Sequence, residues 1–378
     1  MPINKAPAKF HGPIFFIILF LTAAAAFGQT NALTIHFPEL GNKYTGDCIY
    51  INYGTMDILI DAGSKQSSAA TITAYINRFI QDEKIEYVIA THAHEDHIAG
   101  FYSTTTVTGI FESYDIGTII DFPLTNSNTA VYNNYKNART KAEGNGAVHY
   151  TALQCFNNED GAQRIYDLDE NTKLEILYNY FYENKASNEN NYSVCVRIIQ
   201  NENQYIFTGD LEWEGEYRLA EFYEGTFGES SSAEINSAEG SAAGDNIAGV
   251  TASGLGHCVL YKGGHHGSAT SANEKLLAAI SPEYVCICTC AGSSEYRASP
   301  NNVFPAQDFI DRIAPYTDKV YITSYVPDYA GNVVLPYNGN IVFTAQQGEF
   351  SIKCSDNDLK LKDTQWFADN RQMPDAWK

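Results

Sequence analysis

The run His92-Ala93-His94-Glu95-Asp96-His97 puts three histidines and an aspartate within six residues. Imidazole and carboxylate are the ligand types of zinc and similar divalent ions. The whole chain has nine histidines, so this density is far from chance. His92 and His94 stand two apart, just past a predicted strand end, and can chelate one ion from one side. Asp96 and His97, round the next turn, can reach a second. Thr208-Gly209-Asp210 places a carboxylate after another predicted strand, where it can bridge two ions. Alone that tripeptide is a weak signal, because Gly-Asp also marks ordinary turns. The segment KGGHHGS adds His265 and His266 after the following strand, among small residues that let the backbone approach a site closely.

All three clusters follow predicted strands, so they are expected to converge on one edge of a sheet structure. The strands are read from short apolar runs: LTIHF, CIYINYG, DILIDAG and EYVIA before the first cluster, then KLEILYN, SVCVRIIQ and QYIFTGD before Asp210. HCVLY leads into KGGHHGS, and EYVCICTC, VYITS and NIVFTA follow it. Helical spacing is read over Ala69 to Ile80, Glu214 to Tyr223 and Pro305 to Ile313. Residues 101–160 are polar and give no clear assignment. The pattern occurs in two halves and predicts stacked layers with a double sheet inside. Gly228 to Gly256 is rich in Ser, Ala, Gly and Glu and reads as a flexible surface insertion. Residues 355–378 read as a polar, peripheral tail.

Lys5 and Lys9, the apolar run Ile14 to Phe27 and small residues up to Gly28 read as a secretory signal peptide over residues 1–28. The protein is therefore expected to be secreted or at the cell surface, with no stable membrane insertion after cleavage. The 378 residues carry a formal net charge of −21, and losing the two leader lysines makes the remainder more acidic still. That acidity disfavours a protein that grips nucleic acid through its phosphates. Eight cysteines show no disulfide framework and no CxxC pair. Cys286, Cys288 and Cys290 alternate as one face of a buried strand.

THAHEDHIAG resembles the HxHxDH signature of the metallo-β-lactamase superfamily, and DILIDAG resembles its preceding strand motif. YIFTGD and YKGGHHGS are similar to its later metal motifs. Their order and the KxxHHGS form are most similar to the extracellular hydrolase domain of the competence protein ComEC and its stand-alone secreted relatives, over residues 32–354. The resemblance implies an α/β fold, a four-layer αββα sandwich with a metal site at one edge of the two sheets. It implies one or two divalent ions, zinc first and manganese as the alternative. His92 and His94 would hold metal one; Asp96, His97 and His265 would hold metal two; Asp210 would bridge. His266 would contact substrate, Lys262 would neutralise an anionic substrate group, and Asp96 would orient the attacking water or accept its proton.

Two departures from the pattern stand out. The common form has a histidine shortly before the TGD strand, where this chain reads Asn190-Asn191-Tyr192-Ser193. Metal one is therefore expected to be weakly held, replaced by manganese or absent. The ComEC-like form usually has a histidine before the proline where this chain has Ser299-Pro300.

The activity expected is metal-dependent hydrolysis of a small or polymeric phosphoester, with a nuclease acting on external DNA as one form that the acidity weighs against. The alternatives are an acyl or lactone hydrolase of the same fold and a non-catalytic surface binding protein.

Overall fold

The computed structural model describes residue 1 and residues 31–225, 254–296 and 303–378. The expected leader apart from Met1, nearly all of the 228–256 insertion and the Ser299-Pro300 departure lie outside the described residues. Asn31–Lys378 forms one compact unit. Among the described residues no helix is long and apolar enough to cross a membrane.

Among the described residues, sixteen strands build two eight-stranded sheets. The first runs, edge to edge, through Glu349–Cys354, Ile341–Gln346, Leu33–Phe37, Ile49–Tyr53, Met56–Ile60, Lys84–Ala90, Asp115–Asp121 and Val148–Thr151. The second runs through Val333–Pro336, Val320–Asp328, Tyr284–Ala291, Leu260–Lys262, Asn203–Phe207, Val196–Gln200, Thr172–Ile176 and Ile165–Asp167. Each sheet has a run of parallel strands: Met56–Ile60 through Val148–Thr151 in the first, and Asn203–Phe207 through Val320–Asp328 in the second. Parallel strands need crossover connections, and the helices supply them.

Side chains of the second sheet alternate between two apolar environments, as the strand period of two requires. Tyr205, Leu260, Cys286, Cys288 and Tyr321 enter the core shared with the first sheet. Their neighbours Ile206, Tyr261, Val285, Ile287 and Ile322 pack instead with Leu219, Leu276 and Phe309 of the helices Trp213–Glu224, Glu274–Ile280 and Gln307–Ile313. Phe343 of the first sheet reaches Tyr205 and Tyr284 of the second, at ring separations of 5.8 and 5.4 Å. Truncating so buried an aromatic costs about 3–5 kcal/mol. On the other face of the first sheet, His36 meets Tyr75 of the helix Ser68–Ile76. The expected α/β double sheet with covering helices is thus present.

The three predicted helices are found with ends shifted by a few residues. Residues 101–160, which periodicity left unassigned, contain the 15-residue helix Ala130–Gly144. Only Tyr135 and Ala142 of that helix are fully buried, which explains the faint apolar stripe. The tail differs from its expected peripheral character. Leu361, Trp366, Phe367 and Trp377 are buried in the helix-side core, and Trp377 Nε1 donates to Thr317 O at 2.8 Å. Four apolar anchors in a charged stretch do this, which average composition hides. All eight cysteines are free, and Cys286, Cys288 and Cys290 are buried on their strand.

Candidate metal centre

The carboxyl ends of the parallel strands deliver the chemistry, as in other α/β folds. His92 follows Lys84–Ala90, Asp210 follows Asn203–Phe207, and His265 and His266 follow Leu260–Lys262. Asp61, at the end of Met56–Ile60, accepts hydrogen bonds from Thr91 N and Thr91 Oγ1, each 2.8 Å, and so fixes the start of the His92 turn. Gly209 has φ +55°, and a Cβ there would lie 2.9 Å from both Thr91 Cβ and Ser193 Oγ, so the turn before Asp210 requires glycine. Asp61, His265 and His266 hold φ of 61°, 41° and 53°. Left-handed backbone at non-glycine residues is strained, and it gathers at functional sites.

Asp96, His97, Asp210 and His266 converge so that one ligand atom from each lies within 4.8 Å of the others. His97 Nε2 is 3.0 Å from Asp210 Oδ2. His266 Nε2 is 3.1 Å from Asp210 Oδ2 and 3.5 Å from Asp96 Oδ2. The far nitrogen of each imidazole is held by the protein. His97 Nδ1 lies 2.7 Å from Asp61 Oδ2. His266 Nδ1 lies 3.0 Å from Cys288 O and 3.1 Å from Asp47 Oδ1. Carboxylate or carbonyl on one ring nitrogen, with the other aimed at the cluster, is the outer-shell pattern of metal-binding histidines. His266 Nε2 is buried and makes no hydrogen bond. Two imidazole nitrogens and two carboxylates suit zinc or manganese. The residues present therefore fit a divalent ion.

Burial disfavours charge on every member of the cluster, and the partners overcome it. The carboxylates of Asp210 and Asp61 raise His97 well above the ordinary imidazole range, and those of Asp210 and Asp47 do the same for His266. Asp96 and Asp210 are held far below the usual carboxylate range by His266 and His97. His92 behaves oppositely. Burial, then the neighbouring His97 and His94, push it well below its ordinary value, so it stays neutral.

The six expected metal ligands do come to one edge, but unequally. His92 and His94 form a pair of their own, Nε2 to Nδ1 at 3.0 Å, beside His97 with a 4.1 Å ring separation from His92. His265 sits at the rim, 3.9 Å from Asp210 and 3.3 Å from both Glu212 and Asn190. His266, expected to face substrate, lies inside the tight cluster. Lys262 also differs from its expected place at a substrate anion. It is fully buried, pairs with Asp47, lies 3.4 Å from Asp210 Oδ1 and donates to Gly209 O at 2.9 Å. Its charge offsets carboxylates of the site itself. His149, away from the cluster, pairs with Asp121 at 2.8 Å.

Several site residues escaped sequence reasoning. Asp47 and Asp61 together with His97 form a second close group. Asp61 lies within DILIDAG, and Asp47 ends Thr45-Gly46-Asp47, a second copy of the tripeptide that holds Asp210. That repeat was the available signal. Glu189 accepts from Ala93 N at 3.2 Å, Thr125 Oγ1 at 2.6 Å and Asn126 N at 2.6 Å, and so pins the backbone between His92 and His94. Tyr296 donates to Asp96 Oδ2 at 2.6 Å.

Glu216 supports the KGGHHGS turn from beneath. Its carboxylate accepts from Asn273 N at 2.6 Å and from the Tyr261 hydroxyl at 3.1 Å. Burial pushes it up to about 7, against the restraining hydrogen bonds from Asn273, Ala272 and Tyr261. The folded state therefore keeps a proton that the unfolded chain loses above about pH 4.5, and stability falls as pH rises from there to about 7. The contribution is about 3 kcal/mol. Glu216→Gln is expected to gain stability relative to the wild type as pH goes from 5 to 8, read from urea midpoints. A difference independent of pH would show that Glu216 is ionised in the fold.

Residues 41–106 match the family model of the metallo-beta-lactamase superfamily. No curated protein matches the sequence. Among solved structures, the metallo-beta-lactamase fold protein YhfI from Bacillus subtilis is 8% identical, covering 81% of this chain and 99% of its own, with a TM-score of 0.42. A Cronobacter sakazakii metallo-beta-lactamase with a HARLDQ motif is 15% identical over 44% of this chain and 57% of its own, TM-score 0.27. MEM-A1, a subclass B3 metallo-beta-lactamase from a soil metagenome library, is 14% identical over 46% and 58%, TM-score 0.27. The segment matched by the superfamily model contains Asp47, Asp61, His92, His94, Asp96 and His97, which is the half of the centre contributed by the first sheet.

Proposed function

We propose that this chain is an exported metal-dependent hydrolase of phosphodiesters. The observation that carries it is the convergence of Asp96, His97, Asp210 and His266. A divalent ion at these residues supplies Lewis acidity and a water acidified toward neutral pH. His97 and His266 are held in orientation by Asp61 and by Cys288 O and Asp47, so their Nε2 atoms stay aimed at the cluster. Asp96 is the partly exposed carboxylate of the cluster and the one placed to orient the attacking water. Tyr296 fixes its orientation. His265 at the rim, with a side chain 18% exposed, is placed to contact substrate.

The TGD and KxxHHGS forms, similar to those of the ComEC-type hydrolase domain, favour a phosphodiester over a lactam. The net charge of −21 favours a short or weakly charged phosphodiester over long DNA. The test is turnover of bis-p-nitrophenyl phosphate, single-stranded DNA, a lactone and nitrocefin after reconstitution with zinc or manganese. Hydrolysis of the first, with or without the second, supports the reading. Hydrolysis of only the last two replaces it with acyl transfer to water. Absence of stoichiometric metal and of all turnover leaves a binding protein. Export predicts an N-terminus at Gln29 in the mature protein, read by mass spectrometry.

A further inference from the structure

We propose that the cleft beside the metal centre is a subsite for a sugar ring, a neutral polyhydroxylated group seated on Trp213. The cleft measures about 460 Å³ and is lined by Asn188, Asn191, Glu212, Trp213, Glu214 and Thr270 among others. That size lies within the range of small-ligand pockets. Trp213 is 42% exposed, whereas Trp366 and Trp377 are 3% and 5% exposed. Leaving an indole in water forfeits burial of a large apolar surface, so an exposed one in a cleft suits a ligand with a matching apolar face. The C–H face of a pyranose is such a surface.

Trp213 is also held in place. Its backbone N–H donates to Thr270 O at 2.8 Å. The Arg312 guanidinium sits 5.2 Å from the ring centre, and is itself anchored on Ala269 O and Ser271 O at 2.6 and 2.8 Å. A fixed aromatic platform loses little conformational freedom on binding.

The polar lining selects the class of ring. Carboxamides and a threonine hydroxyl both donate and accept, as sugar hydroxyls require. The described lining of the cleft includes the carboxylates of Glu212 and Glu214 and no cation, and the Arg312 guanidinium against Trp213 is engaged by Ala269 O and Ser271 O, so an anion is disfavoured. Of the two lining carboxylates, Glu212 already meets Asn188 Nδ2 at 2.8 Å, Asn190 Nδ2 at 3.0 Å and His265 Nδ1 at 3.3 Å, which leaves Glu214 and makes a cation the competing ligand that the test separates. The Asn190 carboxamide is 4% exposed, and its Oδ1 makes no hydrogen bond. It borders both Glu212 and His265, between the cleft and the cluster. Glu212 touches His265, and His265 lies 3.9 Å from Asp210, so the cleft is one side chain away from the metal ligands. The ring and the scissile group of one substrate can therefore occupy the two places together. Only this last step rests on the hydrolase reading; binding of the ring does not.

The test separates the two. Chelator-treated protein is titrated with methyl glucoside, methyl galactoside and N-acetylglucosamine, and with choline as a cationic control. Binding is followed by saturation-transfer NMR and tryptophan fluorescence. Saturable binding of at least one sugar is expected, weakened about tenfold in Trp213→Ala and less than about threefold in Trp213→Tyr, which keeps an aromatic platform. Absence of saturable binding by all three sugars, equal binding by Trp213→Ala, or binding of choline in their place would overturn the proposal. Sugar binding without any turnover by metal-loaded protein sinks the hydrolase reading and keeps the subsite. Turnover without sugar binding does the reverse.

Discussion

Alanine in place of His266 is expected to weaken zinc or manganese binding by at least about 100-fold, and alanine in place of His265 by less than about tenfold. The difference follows from position. His266 Nε2 lies among Asp96, His97 and Asp210, with its other nitrogen fixed by Cys288 O and Asp47. His265 is 3.9 Å from Asp210 and already engaged with Glu212 and Asn190. Competition against a chromophoric chelator at one pH measures both constants. Alanine at residue 266 also leaves a void beside Asp47, so His266→Gln serves as the variant that keeps volume while removing the imidazole nitrogen. A greater loss in His265→Ala than in either His266 variant would return the ligand role to His265.

Replacing Lys262 by methionine is expected to destabilise the protein by about 3–5 kcal/mol, because it takes the nearest counter-charge from a buried carboxylate and leaves it the His266 imidazole. Asp47 and Lys262 are both wholly inaccessible, and each is the other's closest counter-charge. Burial raises Asp47, and Lys262 and His266 pull it down below the ordinary carboxylate value. Burial lowers Lys262, and Asp47 and Asp210 bring it back above its own. Methionine keeps the length of the lysine stem, so the loss reads the charge rather than a cavity. The double variant Asp47→Asn with Lys262→Met is expected to recover most of the stability in urea denaturation, since a neutral amide tolerates the apolar neighbour better than a carboxylate does. A double variant no more stable than Lys262→Met would show that the lysine matters through Asp210 or Gly209 instead.

Both predictions concern residues whose types were plain in the sequence and whose partners were not. HxHxDH, TGD and HHGS are local signals, because a ligand set placed on one turn must be near in the chain. Strand positions were legible for a similar reason, since a period of two in apolar residues is a property of neighbours. The helix Ala130–Gly144 was not, because it buries too few apolar side chains to print a stripe.

By itself the sequence determined which residue types could bind a metal, that they stand at strand ends, and that they belong to a double-sheet α/β chain. It also determined the acidity. The tertiary structure decided which histidine enters the cluster, which carboxylates stand behind the imidazoles, and that Lys262 compensates the site rather than a substrate. It also decided that the tail is anchored and that Trp213 stands open beside the centre. The physical reason is range. Ligand identity is written in single turns, whereas charge compensation, tautomer and exposure depend on groups such as Asp47, just before the first-sheet strand Ile49–Tyr53, and Lys262 and Cys288 of the second sheet, which meet only when the two sheets close on one another.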